Sequence, residues 1–471
     1  MSANKLAESI AHTWTSSITP ALQEYIRIPA LSPLFDPDWE ATGALDRAME
    51  LLEQWARDNA PEGMTLETVK LPGRTPVIFA EIPGKGEGTA FLYGHFDKQP
   101  EMSGWDDDKG PWEPVIENGR LYGRGGADDG YALFASIEAV RALQREGIDH
   151  PRVVLLIEGS EESGSVDLPA YLETLSDRIG KCDLVVALDS TCGDYERMWC
   201  TTSLRGALVG ELNVSMLTEG VHSGDASGVV ASTFRVVRQL LDRIEDPHEG
   251  RILPEWLFAE VPGERVEQAR AAAEVLGHMG AKFPLLPGVQ ALSDDAVELV
   301  LNRSWRPTLS VVGADGLPPM QSAGNVLRPA TGVKISIRLP PTVNAAEAND
   351  KLKDLLENDP PFGAHVHFEP RVPGQGWHMA PTRPWFDEAL NEASEQFFGH
   401  PAVLMGSGGS IPFMADLQES QPDAHFLVTG VLGPQSNAHG PNEFLELKTG
   451  ERLTACVAWV LARMASQGTV V

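Results

Sequence analysis

Cysteine is scarce in this chain. Four are found in 471 residues, at Cys182, Cys192, Cys200 and Cys456, and none forms a C-x-x-C pair. That spacing excludes a disulfide framework or a zinc knuckle, and reads as reduced thiols in a cytoplasmic protein. Basic residues are also few, with 37 Lys+Arg against 67 Asp+Glu and a formal charge of -30. Such a surface repels nucleic acid and anionic membranes, so neither is expected as a partner. No apolar run approaches the roughly 20 residues that span a bilayer. Residues 1–14 carry no apolar h-region, so no secretory signal is expected. Internal repeats and low-complexity segments are absent.

What the chain has is length and a globular composition. At 471 residues, with 42% hydrophobic and 22% charged residues, it should fold as two domains around separate cores. Residues 5–28 and 41–58 carry helical apolar spacing, with Leu45, Met49, Leu52 and Trp55 on one face. Short apolar runs follow at 77–80, 90–93, 152–157 and 183–188, with another at 425–429, all suited to buried strands. A helix is expected over 130–145, periodic in Leu133, Ile137, Val140 and Leu143, and others near 384–398 and 448–465. Strands alternating with helices predict an α/β fold: a mostly parallel sheet with helices on both faces.

Between about 204 and 381 the texture differs. Residues 207–217 and 332–339 alternate apolar and polar, as strands wetted on one face do, and 229–244 and 345–356 are helical. With a last strand at 365–368, this reads as an inserted α+β lid domain. The catalytic domain would occupy 1–203 and 382–471. An insert at about 245–325, rich in Pro, Gly and charge, has no clear pattern.

Ligands of open α/β sheets bind beyond the carboxyl ends of the strands. His95, Glu161, Glu162, Asp189 and His439 all follow the end of an apolar run, and Asp128 opens the helix between two of them. Two divalent ions about 3.5–4 Å apart need a bridging carboxylate with His and carboxylate ligands on either side. Asp128 suits the bridge, with His95 and Asp189 on one ion, and Glu162 and His439 on the other. Asp97, two residues past His95, could hold the imidazole tautomer. Glu161 would face away from its neighbour. A free carboxylate there is a general base for a metal-bound hydroxide attacking a carbonyl, and returns the proton to the leaving amine. His222 in Gly-Val-His-Ser-Gly could donate to the oxyanion, and Arg338 could fork onto a substrate carboxylate. His and carboxylate ligands suit zinc, manganese or cobalt. His365 and His367 lie two apart on a strand without other ligand types nearby, and read as packed or solvated.

These residues resemble the dinuclear-metal aminopeptidase and amidohydrolase family of carnosine dipeptidases, aminoacylases and succinyl-diaminopimelate desuccinylase. Gly94-His95-Phe96-Asp97-Lys98-Gln99-Pro100 looks like its first metal motif, residues 122–130 like its bridging-Asp motif, and Glu161-Glu162 like its base-plus-ligand pair. The resemblance implies a cis peptide between Asp128 and Asp129. The Ser-Ile-Arg-Leu-Pro strand at 336–340 and the Gly-Gly-Ser-Ile-Pro loop at 408–412 are similar to the dipeptidase branch. That branch implies substrate contacts at Arg338 and Ser410, a homodimer through the lid, and a His222 that reaches the partner's site. Two segments depart from it: Gly406-Ser407 stand where the dipeptidases carry Arg-Glu, and residues 433–437 replace an acidic segment before His439. The expected activity is hydrolysis of dipeptides or similar small peptides with two divalent ions. The alternatives are a deacylase acting on N-acyl or N-carbamoyl amino acids, and a non-catalytic binding protein that keeps the fold.

Overall fold

The computed structural model describes residues 2–411 and 413–466, so Pro412 of the Gly-Gly-Ser-Ile-Pro loop lies outside them. The chain divides into two compact units. One runs to Thr202, resumes over Met379–Met405 and continues from Asp416; the other holds Ser203–His378 and Gly406–Ala415. The expected boundaries assign 406–415 to the first unit. It sides with the second because Arg205 binds it locally. The Arg205 amide donates to the Gly409 carbonyl at 3.0 Å, and the Ser410 hydroxyl donates to the Arg205 carbonyl.

The first unit is α/β. Its six-stranded sheet has the order Thr65–Val69, Val77–Ile82, Arg152–Glu158, Thr89–His95, Leu184–Ala187, His425–Val428. The last four are mutually parallel, and Val77–Ile82 runs antiparallel to both of its neighbours. The short connection 70–76 closes an antiparallel pair, whereas a parallel neighbour needs a crossover. Inner strands are buried nearly end to end, as unbroken apolar runs require when both faces are covered. Leu447–Ala465 packs on Pro384–Phe397, Tyr131–Arg145 and Ala3–Thr13. In Ala44–Asp58 the residues Leu45, Met49, Leu52 and Trp55 are buried as their spacing predicts, with Trp55 edge-on to Phe134 at 4.7 Å. The helix expected over 5–28 is instead two helices, Ala3–Thr13 and Thr19–Ile26, joined by the π-helical turn Trp14–Ile18. Pro20 explains the break: it has no amide to bond back into a regular α-helical turn.

The second unit is α+β. Its four-stranded antiparallel sheet has the order Thr308–Asp315, Ala330–Leu339, Gly206–Ser215, His365–Pro370. Burial alternates along Gly206–Ser215, and the inward residues Leu208, Leu212, Ile335, Ile337 and Phe368 meet Val236, Leu240 and Leu352 of two helices, Thr233–Leu241 and Ala345–Glu357. The patternless insert holds two helices, Gly263–Leu276 and Ala296–Ser304, and the edge strand Thr308–Asp315. That strand is mostly exposed and shifts register between Val311 and Gly313, so no period of two survives in its sequence. Among the described residues no helix is long and apolar enough to cross a membrane.

Candidate metal centre

Five sequence-predicted ligands and two neighbours lie together in the first unit. His95 ends the strand Thr89–His95. Asp128 sits in a kinked turn before Tyr131–Arg145, with φ -123° and ψ 89°, and the Asp128–Asp129 peptide is cis as the resemblance implies. Glu161 and Glu162 form one 3-10 turn after Arg152–Glu158, and Asp189 lies two residues past Leu184–Ala187. Gly94 lets the strand approach the Asp turn. A Cβ there would stand 2.5 Å from the Ala132 Cβ and 2.8 Å from an Asp129 carboxylate oxygen.

The ligand atoms form two groups sharing one residue, His95–Asp128–Asp189 and Asp128–Glu162–His439. Asp128 Oδ1 is 3.4 Å from His95 Nε2, which is 3.8 Å from Asp189 Oδ2. Asp128 Oδ2 is 3.0 Å from His439 Nε2, which is 3.4 Å from Glu162 Oε2. Each oxygen of one carboxylate thus faces a different imidazole. Two ligands tetrahedrally disposed at about 2.0–2.2 Å from one zinc would stand about 3.4 Å apart, which these spacings match. His95 Nε2 is buried without a hydrogen-bond partner among the described residues. A desolvated imidazole nitrogen aimed at two carboxylates is costly as it stands and suits a divalent cation between them.

Asp97 does more than the expected tautomer control. Its carbonyl oxygen is 3.1 Å and its Oδ1 3.4 Å from His95 Nδ1, and its two carboxylate oxygens accept the Glu161 and Glu162 amides, each at 3.0 Å. One side chain therefore fixes a histidine and the turn carrying both glutamates. The Glu161 carboxylate accepts no hydrogen bond among the described residues, whereas Glu162 is held by Gln99 at 2.6 Å.

Sequence reasoning missed what fixes the His439 loop. Arg120–Tyr122 pairs with Val115–Glu117 on one side and with Phe444–Glu446 on the other, drawing that loop onto the Asp128 turn. There Arg124 and Glu443 form a buried ion pair. Glu443 also accepts the Gly125 amide at 2.9 Å, and Arg124 donates to the Gly440 carbonyl at 2.9 Å. Gln435, Asn437, His439 and Asn442 all have positive φ, a strain that such clamps sustain. Only contact between distant segments marks these two charges as partners.

His222, Arg338 and Ser410 belong to the second unit. His222 is exposed, and its Nδ1 accepts the Gly224 amide at 3.1 Å, capping a short turn. Arg338 donates to Ser410 Oγ at 3.0 Å.

The acids crowd one another in the metal-free protein. Burial, then the charge of Asp128, pushes Asp189 up to about 6. Burial raises Glu161 and Glu162 well above the carboxylate range, with Asp189 and Asp128 respectively adding to it. Burial opposes charge on His95, but the carboxylates of Asp128 and Asp97 facing its two ring nitrogens outweigh it and raise the imidazole. For Asp128 burial is outweighed by His439 and His95, which lower it. Raised acids hold more protons folded than unfolded, so stability falls as pH rises from about 4 through their folded values. Raised histidines add the same sign above about 6.5, and Asp128 acts oppositely only below about 4. Calorimetry of metal-stripped protein should show Tm falling between about pH 5 and pH 8, with metal-loaded protein far less affected. A rising Tm in the stripped protein would contradict this crowding.

The model of Peptidase family M20/M25/M40 matches residues 91–463. The cysteinylglycine-S-conjugate dipeptidase of Corynebacterium striatum is 29% identical over 384 residues, covering 79% of this chain and 80% of that one. The beta-Ala-His dipeptidase of Homo sapiens is 29% identical over 355 residues, covering 73% of this chain and 69% of that one. The crystal structure of human carnosine dipeptidase 1 shares the fold, with a TM-score of 0.78 at 23% identity over 99% of both chains. The match runs from the strand bearing His95 into the last helix, and the chain belongs to Peptidase family M20/M25/M40.

Proposed function

We propose that this protein hydrolyses the amide bond of dipeptides or similar small peptides at a centre holding two divalent ions. The observation that carries the reading is the Asp128 carboxylate, shared between two ligand groups with one oxygen turned to each. His95 and Asp189 would complete one site, Glu162 and His439 the other. Zinc is the first choice of metal, with manganese or cobalt possible on the same donors. Bound there, the ions supply Lewis acidity for the scissile carbonyl and for the attacking water. Glu161, with no hydrogen bond to its carboxylate, takes the proton from that water and hands it to the leaving nitrogen. Asp97 holds the glutamate turn and the His95 ring in place for this transfer. In the second unit Arg338, steadied by Ser410, would fork onto the substrate carboxylate, and His222 would donate to the oxyanion. We further propose a homodimer formed through the lid, with His222 serving the partner's site. A cytoplasmic location suits the four buried free thiols.

A deacylase acting on N-acyl or N-carbamoyl amino acids would use the same metal centre. Gly406 favours it in one respect. A Cβ there would lie 2.5 Å from Ser203 Oγ and 2.7 Å from Ser304 Cβ, so an arginine at 406, as in the dipeptidase branch, has no room without repacking. The deciding experiment is product release from a panel of dipeptides and N-acyl amino acids, comparing stripped protein with protein reloaded with zinc or manganese. Metal-dependent release of amino acids from dipeptides is expected. Cleavage of acyl amides alone would move the protein to the deacylases, and cleavage of neither by reloaded protein would reject both readings.

A further inference from the structure

The two ligand groups of the first unit are held unequally. His95 is fully buried, and Asp97 fixes its far ring nitrogen, with a carbonyl oxygen at 3.1 Å and a carboxylate oxygen at 3.4 Å from Nδ1. In the other group Glu162 is held by Gln99 through its carboxylate and by Asp97 through its amide. His439 differs from all of these. Its side chain is half-exposed, and its Nδ1 has no hydrogen-bond partner among the described residues. A metal-binding histidine ordinarily donates that nitrogen to a carboxylate or carbonyl, which fixes the ring. His439 also sits at φ 64°, a backbone conformation that side chains rarely adopt. The polar groups that face its imidazole are Asp128 and Glu162, the acids that would share an ion with it.

The backbone around His439 is fastened instead. The Arg124 guanidinium donates to the carbonyl of Gly440, the next residue, at 2.9 Å and to the Pro100 carbonyl at 3.2 Å, and it pairs with Glu443. Glu443 in turn accepts the Gly125 amide on its carboxylate at 2.9 Å and the Gly123 amide on its carbonyl at 3.0 Å. One ion pair thus joins the His439 loop to the Asp128 turn and to Pro100, at the end of the segment that begins with His95. Its two side chains are 1% and 0% exposed, and neither belongs to a ligand group. A pair buried this deeply contributes little net stability, because desolvation offsets its attraction. Its place in the fold accounts for it better: it holds still the one ligand whose ring has no support of its own.

We propose that Arg124 and Glu443 are positioning residues for the second ion, setting the affinity of the Asp128–Glu162–His439 site through the placement of His439 and leaving the His95–Asp128–Asp189 site unchanged. This rests on the two-ion reading of the centre, and deepens it by separating what supports each ion.

The test measures stepwise zinc dissociation constants by titration against a competing chelator, in the parent, Glu443→Gln, Arg124→Lys and His439→Ala, each first checked for folding by circular dichroism. The parent should take two ions. Glu443→Gln should weaken one of them by roughly 10–100-fold, as loss of a group supporting a ligand does, and leave the other as it was. Arg124→Lys keeps a charge opposite Glu443 without the planar fork, so it should weaken the same ion by less. If Glu443→Gln does not fold, Arg124→Lys carries the comparison. The decisive readout is Glu443→Gln or Arg124→Lys placed in the His439→Ala background. The ion that remains there should bind as in His439→Ala alone, because the pair acts through the side chain already removed. A merely structural role would weaken that ion further, and this result would overturn the proposal. So would equal weakening of both ions in the single variants, or no weakening of either. A parent that takes fewer than two ions would reject the two-ion reading itself, and the proposal with it.

Discussion

Glu161→Ala is expected to abolish turnover while both metal sites stay filled. Glu161 contributes to neither ligand group and accepts no hydrogen bond on its carboxylate, yet it sits on the same one-turn helix as the ligand Glu162. Its removal leaves the amides at 161 and 162 bonded to Asp97, so the turn should persist. General acid–base catalysis accounts for roughly 10²–10⁴ in rate, and kcat should fall at least that far. Metal content by emission spectroscopy should match the parent, as should KM for the favoured substrate if binding outpaces chemistry. Near-normal kcat in this variant would remove Glu161 from the mechanism. Lost metal would make it a ligand instead. Glu161→Gln separates charge from volume and should be as inactive.

The second large effect is expected at Asp128. Every other ligand serves one group, so its loss should empty one site first. Asp128 serves both, and Asp128→Ala should reduce metal content at both sites together and remove activity. The loss should exceed the roughly 10–100-fold that follows removal of a residue supporting a ligand. Metal-dependent stabilisation should shrink with it. An ion at 1,000 times its dissociation constant stabilises the folded state by about 4 kcal/mol, so the parent should show a large Tm gap between loaded and stripped forms. In Asp128→Ala that gap should nearly close. The variant leaves His95 and His439 without the carboxylate between them, so a circular dichroism spectrum must first establish that it folds. Retention of two tightly held ions in a folded variant would show that Asp128 is not the bridge.

Much of this was readable along the chain because local pattern and local chemistry coincide there. The inner strands of the first unit are covered on both faces, so they are written as short apolar runs, and each hands a ligand residue to the loop that follows. His95, Asp128, the two glutamates and Asp189 were legible for that reason, as was the α/β alternation. The lid strands Gly206–Ser215 and Ala330–Leu339 were legible because one face is wet and the period of two shows. Tertiary structure decided what depends on pairs far apart in sequence. Glu443 becomes the partner of Arg124 only when Phe444–Glu446 pairs with Arg120–Tyr122. Asp97 meets the 161 and 162 amides because Thr89–His95 and Arg152–Glu158 are parallel neighbours. Arg205 and Arg303 are far apart in sequence, and only folding brings both against Gly408. Sequence determined which chemistries were available, since side-chain type and period are local properties. Folding decided which charges share a low-dielectric pocket, because that depends on long-range register and burial.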